Sequence, residues 1–181
     1  MLESTFESII EQDFAIAYLK LLGQMYYKNI TVTMLVEAAG YGRATFYAYF
    51  SGLKDLRQKL NTYDIAETKR ICEKAMEISQ DGERVQNLID NLIPHFKLFW
   101  PLMCSNNMPE HLEDMKGCLY DVFKDRFYER FKDGKFDSVL VGSFCVGGML
   151  HMMVKLFESG NDAKSPEIVA NMVELINHML F

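Results

Sequence analysis

The chain has 181 residues, of which 49% are hydrophobic and 13% aromatic, so it can bury a substantial core. Its net charge of −6 argues against non-specific wrapping of nucleic acid or of an acidic membrane, although the total does not exclude a small basic patch. The acidic first residues lack the basic start of a secretion signal, and no window approaches the roughly 18 uncharged apolar residues of a membrane span. We therefore expect a cytoplasmic protein without a membrane partner.

The cysteines do not indicate a metal or redox site, because no Cys-x-x-Cys pair occurs. Each lies in an apolar helical pattern, and we interpret all of them as buried free thiols in a reducing compartment. They are Cys72, Cys104, Cys118 and Cys145.

Helical periodicity runs through almost the whole sequence, without an alternating strand pattern or a hairpin turn. The first helix is predicted from Ser4 to Met25. A short second helix follows, capped by Thr31 and ended by Gly40, and Arg43 to Phe50 forms the third. The sequence therefore predicts an all-α protein of about nine helices, whose first three form an N-terminal domain over residues 1–52.

The remaining residues, 53–181, are predicted to form a larger helical domain. Pro94 is expected to kink the second helix of this domain. Asp137 or Ser138 is expected to cap the fourth, and Ser165-Pro166 suits the start of the last. The predicted helices span 53–79, 83–104, 110–132 with a break near 115–117, 138–158, and 165 to the terminus.

The stretch from Ile30 to Phe50 joins two short helices by a glycine-containing turn, which is the pattern of a helix-turn-helix. The second helix of such a unit can lie in the major groove of DNA. Phe46 and Phe50 are one helical turn apart and are expected to fill the core with Leu35. The side chains left on the DNA side are Arg43, Ala44, Thr45, Tyr47 and Tyr49. From these residues alone, a packed aromatic corner in a helical protein is an open alternative.

These residues resemble the DNA-binding segment of the tetracycline-repressor (TetR) family of bacterial transcription regulators. The similarity runs without a gap from about Ala17 to Leu56, and is carried by Thr31, Leu35-Val36, Ala39-Gly40 and Thr45-Phe46-Tyr47-Ala48-Tyr49-Phe50. The resemblance implies an operator-facing set of Thr33, Arg43, Ala44, Thr45 and Tyr47, with Tyr49 on phosphate. Thr31 and Lys54 complete the predicted DNA-binding residues.

One departure from the family pattern bears on DNA affinity. Leu53 stands where the family normally has a phosphate-contacting lysine, and Lys54 beside it is the candidate replacement. Residues 1–60 also hold six Lys or Arg against six Asp or Glu. This neutral balance predicts modest, salt-sensitive DNA binding with few phosphate contacts.

The last two predicted helices carry more apolar surface than one contact would use. Pairing both with their symmetry mates gives a four-helix isologous interface, and the resemblance implies the same pair. A core role in a monomer is the alternative. The predicted interface residues are Phe144, Gly147, Gly148, His151, Val169, Met172, Val173 and Ile176. Two-fold symmetry then implies a palindromic operator.

The resemblance further implies an effector cavity among the middle helices, and twelve methionines suit an adaptable apolar cavity. The predicted lining residues are His95, Phe96, Phe99, Trp100, Met103, Tyr120, Phe123 and Phe127. Phenylalanine and methionine at helical spacing are equally typical of ordinary core. An effector that prefers one position of the fourth helix would release DNA by a population shift.

No enzyme motif is present: the four histidines lack the metalloprotease spacing, and there is no Walker loop, dinucleotide glycine motif or nucleophile elbow. We predict no enzyme activity, cofactor or metal. The predicted function is a ligand-responsive dimeric transcription regulator, a repressor in its simplest form, that a small and largely apolar effector releases from a palindromic operator. The alternative is a ligand-binding or protein-interaction module of the same fold with weakened DNA binding.

Overall fold

A computed structural model describes residues 6–103 and 109–158, together with 167, 168, 170, 171, 174 and 175. These residues form seven α-helices and a short 3-10 helix at Tyr27–Asn29, and none of them lies in a strand. The helices are α1 (Ile9–Leu22), α2 (Val32–Ala39), α3 (Arg43–Tyr49), α4 (Leu53–Met76), α5 (Asp81–Met103), α6 (Pro109–Phe131) and α7 (Ser138–Glu158). The predicted all-α class is confirmed.

The seven α-helices of the described residues are fewer than the nine predicted for the whole chain. The predicted break near 115–117 is wrong, since α6 is continuous through Gly117. A single glycine inside a helix costs only about 1 kcal/mol relative to alanine, which the packing of a long helix can offset. The six described residues of the last segment are helical, but its predicted start at Ser165-Pro166 lies outside the described residues.

Several helix ends also differ from their predicted positions by a few residues. α1 begins at Ile9 rather than at Ser4, because the hydroxyl of Ser8 accepts a hydrogen bond from the N–H of Glu11 at 3.2 Å and caps the helix there. α4 ends at Met76, three residues before the predicted end, and its last turn is followed by the bend that leads into α5.

The turn between α2 and α3 depends on two residues that the sequence singled out. The hydroxyl of Thr31 caps α2 by accepting from the N–H of Met34 at 3.3 Å. Gly40 ends α2 at φ 76°, a left-handed conformation that costs other residues roughly 1–2 kcal/mol. The N–H of Tyr41 then donates to the carbonyl of Val36 at 2.9 Å, which closes the turn before α3.

Two groups of buried apolar side chains form the core. The proximal cluster joins α1, α2 and α3 to the first half of α4 and the last turns of α5. The distal cluster joins the second half of α4 to α5, α6 and α7. The predicted domain boundary between residues 52 and 53 falls between α3 and α4 and stays a prediction. The proximal cluster crosses it, since Leu56, Leu60, Phe99 and Leu102 belong to that cluster.

α7 has a composition that the sequence analysis did not anticipate. It is long and apolar enough to cross a membrane, contrary to the expectation that no segment is. One third of its most apolar window is buried inside the protein, and the core helix of a soluble protein has the same composition. The finding is therefore weak evidence for a membrane span.

The interpretation of the cysteines is confirmed only in part. Cys72 is a buried free thiol, and burial raises its pKa to about 12, so it is a poor nucleophile. Cys118 and Cys145 are only half-buried, and Cys145 packs against the distal cluster. Cys104 lies outside the described residues.

Close packing of α6 against α7 depends on Gly142. A Cβ atom at this position would lie 2.8 Å from ring carbons of both Phe127 and Tyr120. Gly142→Ala should therefore lower the free energy of unfolding by about 1–3 kcal/mol, as overpacking does. Gly117→Ala is the matched control, because a Cβ there meets nothing within 4 Å and should add roughly 0.5–1 kcal/mol of helix stability. Chemical denaturation measures both, and equal effects would contradict the packing argument.

Candidate functional site

α3 has a buried side and an exposed side. Phe46 and Phe50 are buried together with Leu35, as predicted, and Phe14 of α1 meets Phe46 edge to face at 5.4 Å between ring centroids. Tyr47, on the opposite side, is 56% exposed. The helix is therefore anchored through its phenylalanines and presents its other side to solvent.

The remaining predicted DNA-binding residues lie on or beside this exposed side. Arg43 and Ala44 are exposed, and the guanidinium of Arg43 donates a hydrogen bond from Nη2 to the hydroxyl of Thr33 on α2. Two of the predicted DNA-binding residues, from different helices, therefore contact each other. Thr31 is exposed and uses its hydroxyl as the α2 cap, whereas Thr45 and Tyr49 are half-buried.

The start of α4 explains the apolar residue at position 53. Leu53 is partly buried against the proximal cluster, so it packs instead of reaching into solvent, while Lys54 is exposed. The carboxylate of Asp55 accepts from the backbone N–H of Ser51 at 2.8 Å and from its hydroxyl at 3.2 Å. This contact fixes the chain between α3 and α4, and with it the position of Lys54.

Sequence reasoning missed two cations that meet over one aromatic ring. The guanidinium of Arg57 lies 4.8 Å from the ring centroid of Tyr27, and the ammonium of Lys28 lies 5.8 Å from it. Cations over a tyrosine face gain about 0.5–1 kcal/mol at exposed sites. Little in the sequence indicated this contact, because its residues come from the 3-10 helix and from α4 and share no motif.

A buried polar group lies deeper in the protein, among α4, α5 and α6. The carboxylate of Asp64 accepts hydrogen bonds from Nε2 of His95 at 2.6 Å and from Nε2 of His111 at 2.7 Å. Nδ1 of His111 meets Oδ1 of Asn61, whose Nδ2 donates to the carboxylate of Asp114 at 3.2 Å. Asp64 and His111 are fully buried. We refer to these five residues as the Asp64 network.

The Asp64 network was missed because its partners are distant in sequence. The only local signal was the helical spacing of Asn61 with Asp64 and of His111 with Asp114. The described residues include no group of three or more His, Cys, Asp or Glu side chains arranged to hold a metal ion. The two imidazoles instead meet different oxygens of the one carboxylate.

The charge of Asp64 is stabilised by its partners. Burial by itself raises the pKa of this carboxyl, but the hydrogen bonds from His111 and His95 outweigh burial and leave the pKa below its ordinary value. An unfolded aspartate titrates near about pH 4, so this stabilisation is present above that pH and is lost as the pH falls through the lower folded-state value. A carbon-detected NMR titration of the carboxyl should show this, and protonation above about pH 4 would contradict it.

The predicted effector-lining residues are divided by the structure. Phe96, Met103, Phe123 and Phe127 are buried in the distal cluster, against which Trp100 and Tyr120 are partly buried. Phe99 belongs to the proximal cluster and stacks on His95 at 4.8 Å between centroids. His95 itself is bonded to Asp64. The predicted effector-lining residues therefore do not line one common surface. Asp64 of α4 and His111 of α6 were not predicted, and they are connected to His95 by hydrogen bonds to the one carboxylate.

The outer side of α7 carries exposed residues at helical spacing. Phe144 is 81% exposed, Leu140 is 71% exposed, and Gly148 and His151 are exposed in the next turns. We refer to these four residues as the α7 stripe. Gly147 beside it is half-buried, and a Cβ on either glycine would meet nothing within 4 Å. The other predicted interface residues lie outside the described residues: Val169, Met172, Val173 and Ile176.

The fold, with these sites in place, is all-α and is also found in a transcription regulator of known structure. No protein-family model matches the sequence, and no curated protein matches it. Among solved structures, the chain is similar to the fatty acid degradation regulator FadR from Bacillus halodurans, with a TM-score of 0.64 over 92% of this chain and 95% of that one. Only 13% of the residues are identical, so the similarity establishes the fold alone.

Proposed function

We propose that this protein is a ligand-responsive transcription regulator of the TetR type, in which α2 and α3 form a helix-turn-helix. The observation that carries the proposal is the division of α3, whose phenylalanines are buried while Arg43 and Tyr47 face solvent. A helix held in this way can enter the major groove without rearranging the core. The fold shared with FadR supports the class of protein.

In this proposal Arg43 is the principal base-reading or phosphate-contacting residue. Its hydrogen bond to Thr33 restricts the guanidinium before DNA arrives, which lowers the entropy cost of binding. Thr31, Tyr49 and Lys54 are assigned to the phosphate backbone, and Ala44, Thr45 and Tyr47 to the groove. Arginine and tyrosine contacts of both kinds are common in protein–DNA interfaces.

The proposed regulator is a homodimer that uses the α7 stripe. A phenylalanine that is 81% exposed beside glycines with open space above them is unusual for a free surface and typical of an interface. The glycines allow the symmetry mate of α7 to approach closely. Two heads related by a two-fold axis then bind a palindromic operator.

The proposed effector is small and largely apolar, and binds among α4, α5, α6 and α7 in the cytoplasm. The name of FadR concerns fatty acid degradation, and we extend from it only the apolar character of the effector. Half-buried Trp100 and Tyr120 at the edge of the distal cluster are the proposed entry residues. Effector binding favours a second position of α4 and thereby releases DNA, which makes the protein a repressor.

Selection of duplexes from a random-sequence library by the wild-type protein tests this function. Arg43→Ala should weaken binding to the selected duplex by about 10- to 100-fold, equivalent to about 1–3 kcal/mol, because a bidentate contact is lost. Lys69→Ala is the matched control: it removes one positive charge from the exposed surface of α4, where only a 3.8 Å pair with Glu73 is lost. Equal losses in both variants would contradict the assigned role of Arg43.

A second candidate function is a ligand-binding or protein-interaction module of the same fold. The observation in its favour is Leu53, which packs against the proximal cluster where the family places a phosphate-binding lysine. This candidate predicts that the wild-type protein enriches no duplex from the library at low salt. A palindromic selected sequence excludes it.

A further inference from the structure

The Asp64 network lies where α4 passes from one apolar cluster to the other. Tyr63, the preceding residue, belongs to the proximal cluster, and Ile71, about two turns later, belongs to the distal one. His95 has the same position on α5, between Phe96 of the distal cluster and Phe99 of the proximal cluster. The hydrogen bonds of the Asp64 network therefore lie at the boundary between the two clusters.

The hydrogen bonds of the network determine the orientation of the Asn61 amide. Asp114 is exposed, and its carboxylate oxygen can only accept, so the group that faces it must be the NH₂ of Asn61. The carbonyl oxygen of the same amide then faces Nδ1 of His111. An oxygen acceptor at this place requires a hydrogen on Nδ1.

The second nitrogen of His111 also requires a hydrogen. Nε2 lies 2.7 Å from Oδ2 of Asp64, a carboxylate whose pKa is held below its ordinary value. A ring that donates from both nitrogens is an imidazolium. Neither side chain of the contact between His111 and Asp64 has any exposed surface.

We infer that His111 is a buried imidazolium whose two N–H groups tie α6 to α4, and that this tie holds α4 in the position from which α3 reads DNA. The second half of the inference rests on the proposed function. α4 transmits the restraint because Leu56 and Leu60 are fully buried in the proximal cluster, together with residues of α1, α2 and α3. Removal of one proton would leave a ring nitrogen facing an oxygen without a hydrogen between them, which would weaken the contact between α6 and α4.

The charged and titratable groups around this ring come from three helices. Asp64 on α4 bonds it directly, His95 on α5 shares that carboxylate, and Asp114 on α6 is connected through Asn61. Glu67 lies one turn beyond Asp64 and is paired with Arg70 at 2.6 Å.

Side-chain NMR of protein labelled with ¹⁵N-histidine tests the charge without any DNA. At about pH 7.5 an ordinary histidine is mostly neutral, whereas His111 should show two protonated ring nitrogens. His111→Gln assigns the signal, and the exposed His151 in the same spectrum is the internal comparison. A neutral ring at residue 111 at this pH overturns the inference.

The tie to α4 is tested with Asn61→Ala, which removes only the acceptor at Nδ1 and keeps the buried carboxylate. This variant should lose the imidazolium signal at about pH 7.5 and bind the selected duplex about tenfold more weakly. Ile71→Val is the matched control, since it trims the same helix in the distal cluster and leaves the network intact. It should bind the duplex like the wild type.

The outcomes separate this inference from the proposed function. An imidazolium signal with equal DNA affinity in Asn61→Ala and Ile71→Val overturns the coupling of the network to DNA. If the wild type selects no duplex, the proposed function fails. Amide hydrogen exchange of α4 then tests whether His111 holds α6 to α4. If it does, the amides of α4 exchange faster in Asn61→Ala than in Ile71→Val. Equal exchange overturns it.

Discussion

Replacement of Asp64 by alanine should lower the free energy of unfolding by about 3–5 kcal/mol, the usual loss when one partner of a buried ion pair is removed. The carboxylate is the only acceptor for Nε2 of both His95 and His111 among the described contacts, and the side chains of Asp64 and His111 have no exposed surface. Both imidazoles then lose their acceptor, and that of His111 has no exposed surface through which water could replace it. Urea denaturation at neutral pH measures the loss.

The control for this experiment is an acidic residue on the same helix that makes little contact. Glu73→Ala removes a carboxylate that is 55% exposed and lies 3.8 Å from Lys69, so its effect should stay within about 0.5 kcal/mol. A loss below about 1 kcal/mol for Asp64→Ala would show that the network contributes little to stability.

Phe144→Glu should dissociate the proposed homodimer into monomers at micromolar concentration. A central aromatic residue contributes about 2 kcal/mol or more to an interface, and a two-fold axis counts each substitution twice. The combined loss of about 4 kcal/mol corresponds to a roughly thousandfold weaker dimer, before the cost of burying two carboxylates. Sedimentation velocity over a range of concentrations measures the change.

Tyr128→Glu is the control for this change, because it also replaces an exposed aromatic residue by glutamate but lies on α6, outside the α7 stripe. This variant should sediment like the wild type. A dimer that survives Phe144→Glu, or a wild type that is monomeric at high concentration, would remove the α7 stripe from the proposed interface.

Local chemistry was sufficient to predict the N-terminal elements. Thr31 and Gly40 mark the ends of α2 because a hydroxyl cap and a left-handed residue have local causes. The burial of Phe46 and Phe50 follows from their spacing along one helix. The break expected in α6 was wrong because a local preference against Gly117 is small beside the tertiary packing of a long helix.

The Asp64 network could not be predicted in the same way. Its members come from three helices, and only the packing of those helices brings His95 and His111 to one carboxylate. Sequence spacing placed His95 in an apolar set because the residues around it are phenylalanines. It could not show that Phe99 packs with the N-terminal helices while Phe96 packs with the distal ones. The α7 stripe was predictable from composition, but its exposure was not.

The proximal cluster limits how α1, α2 and α3 could be transplanted into another protein. This cluster includes Leu56 and Leu60 of α4 and Phe99 and Leu102 of α5. A fragment that ends at residue 52 would therefore expose to solvent the apolar side chains that these residues cover. A chimaera that tests the proposed DNA-binding role by exchanging α1, α2 and α3 with those of another protein of this fold must therefore carry the first turns of α4 and a compatible end of α5. Natural recombination faces the same constraint, so crossover points well beyond the end of α3 at Tyr49 are favoured.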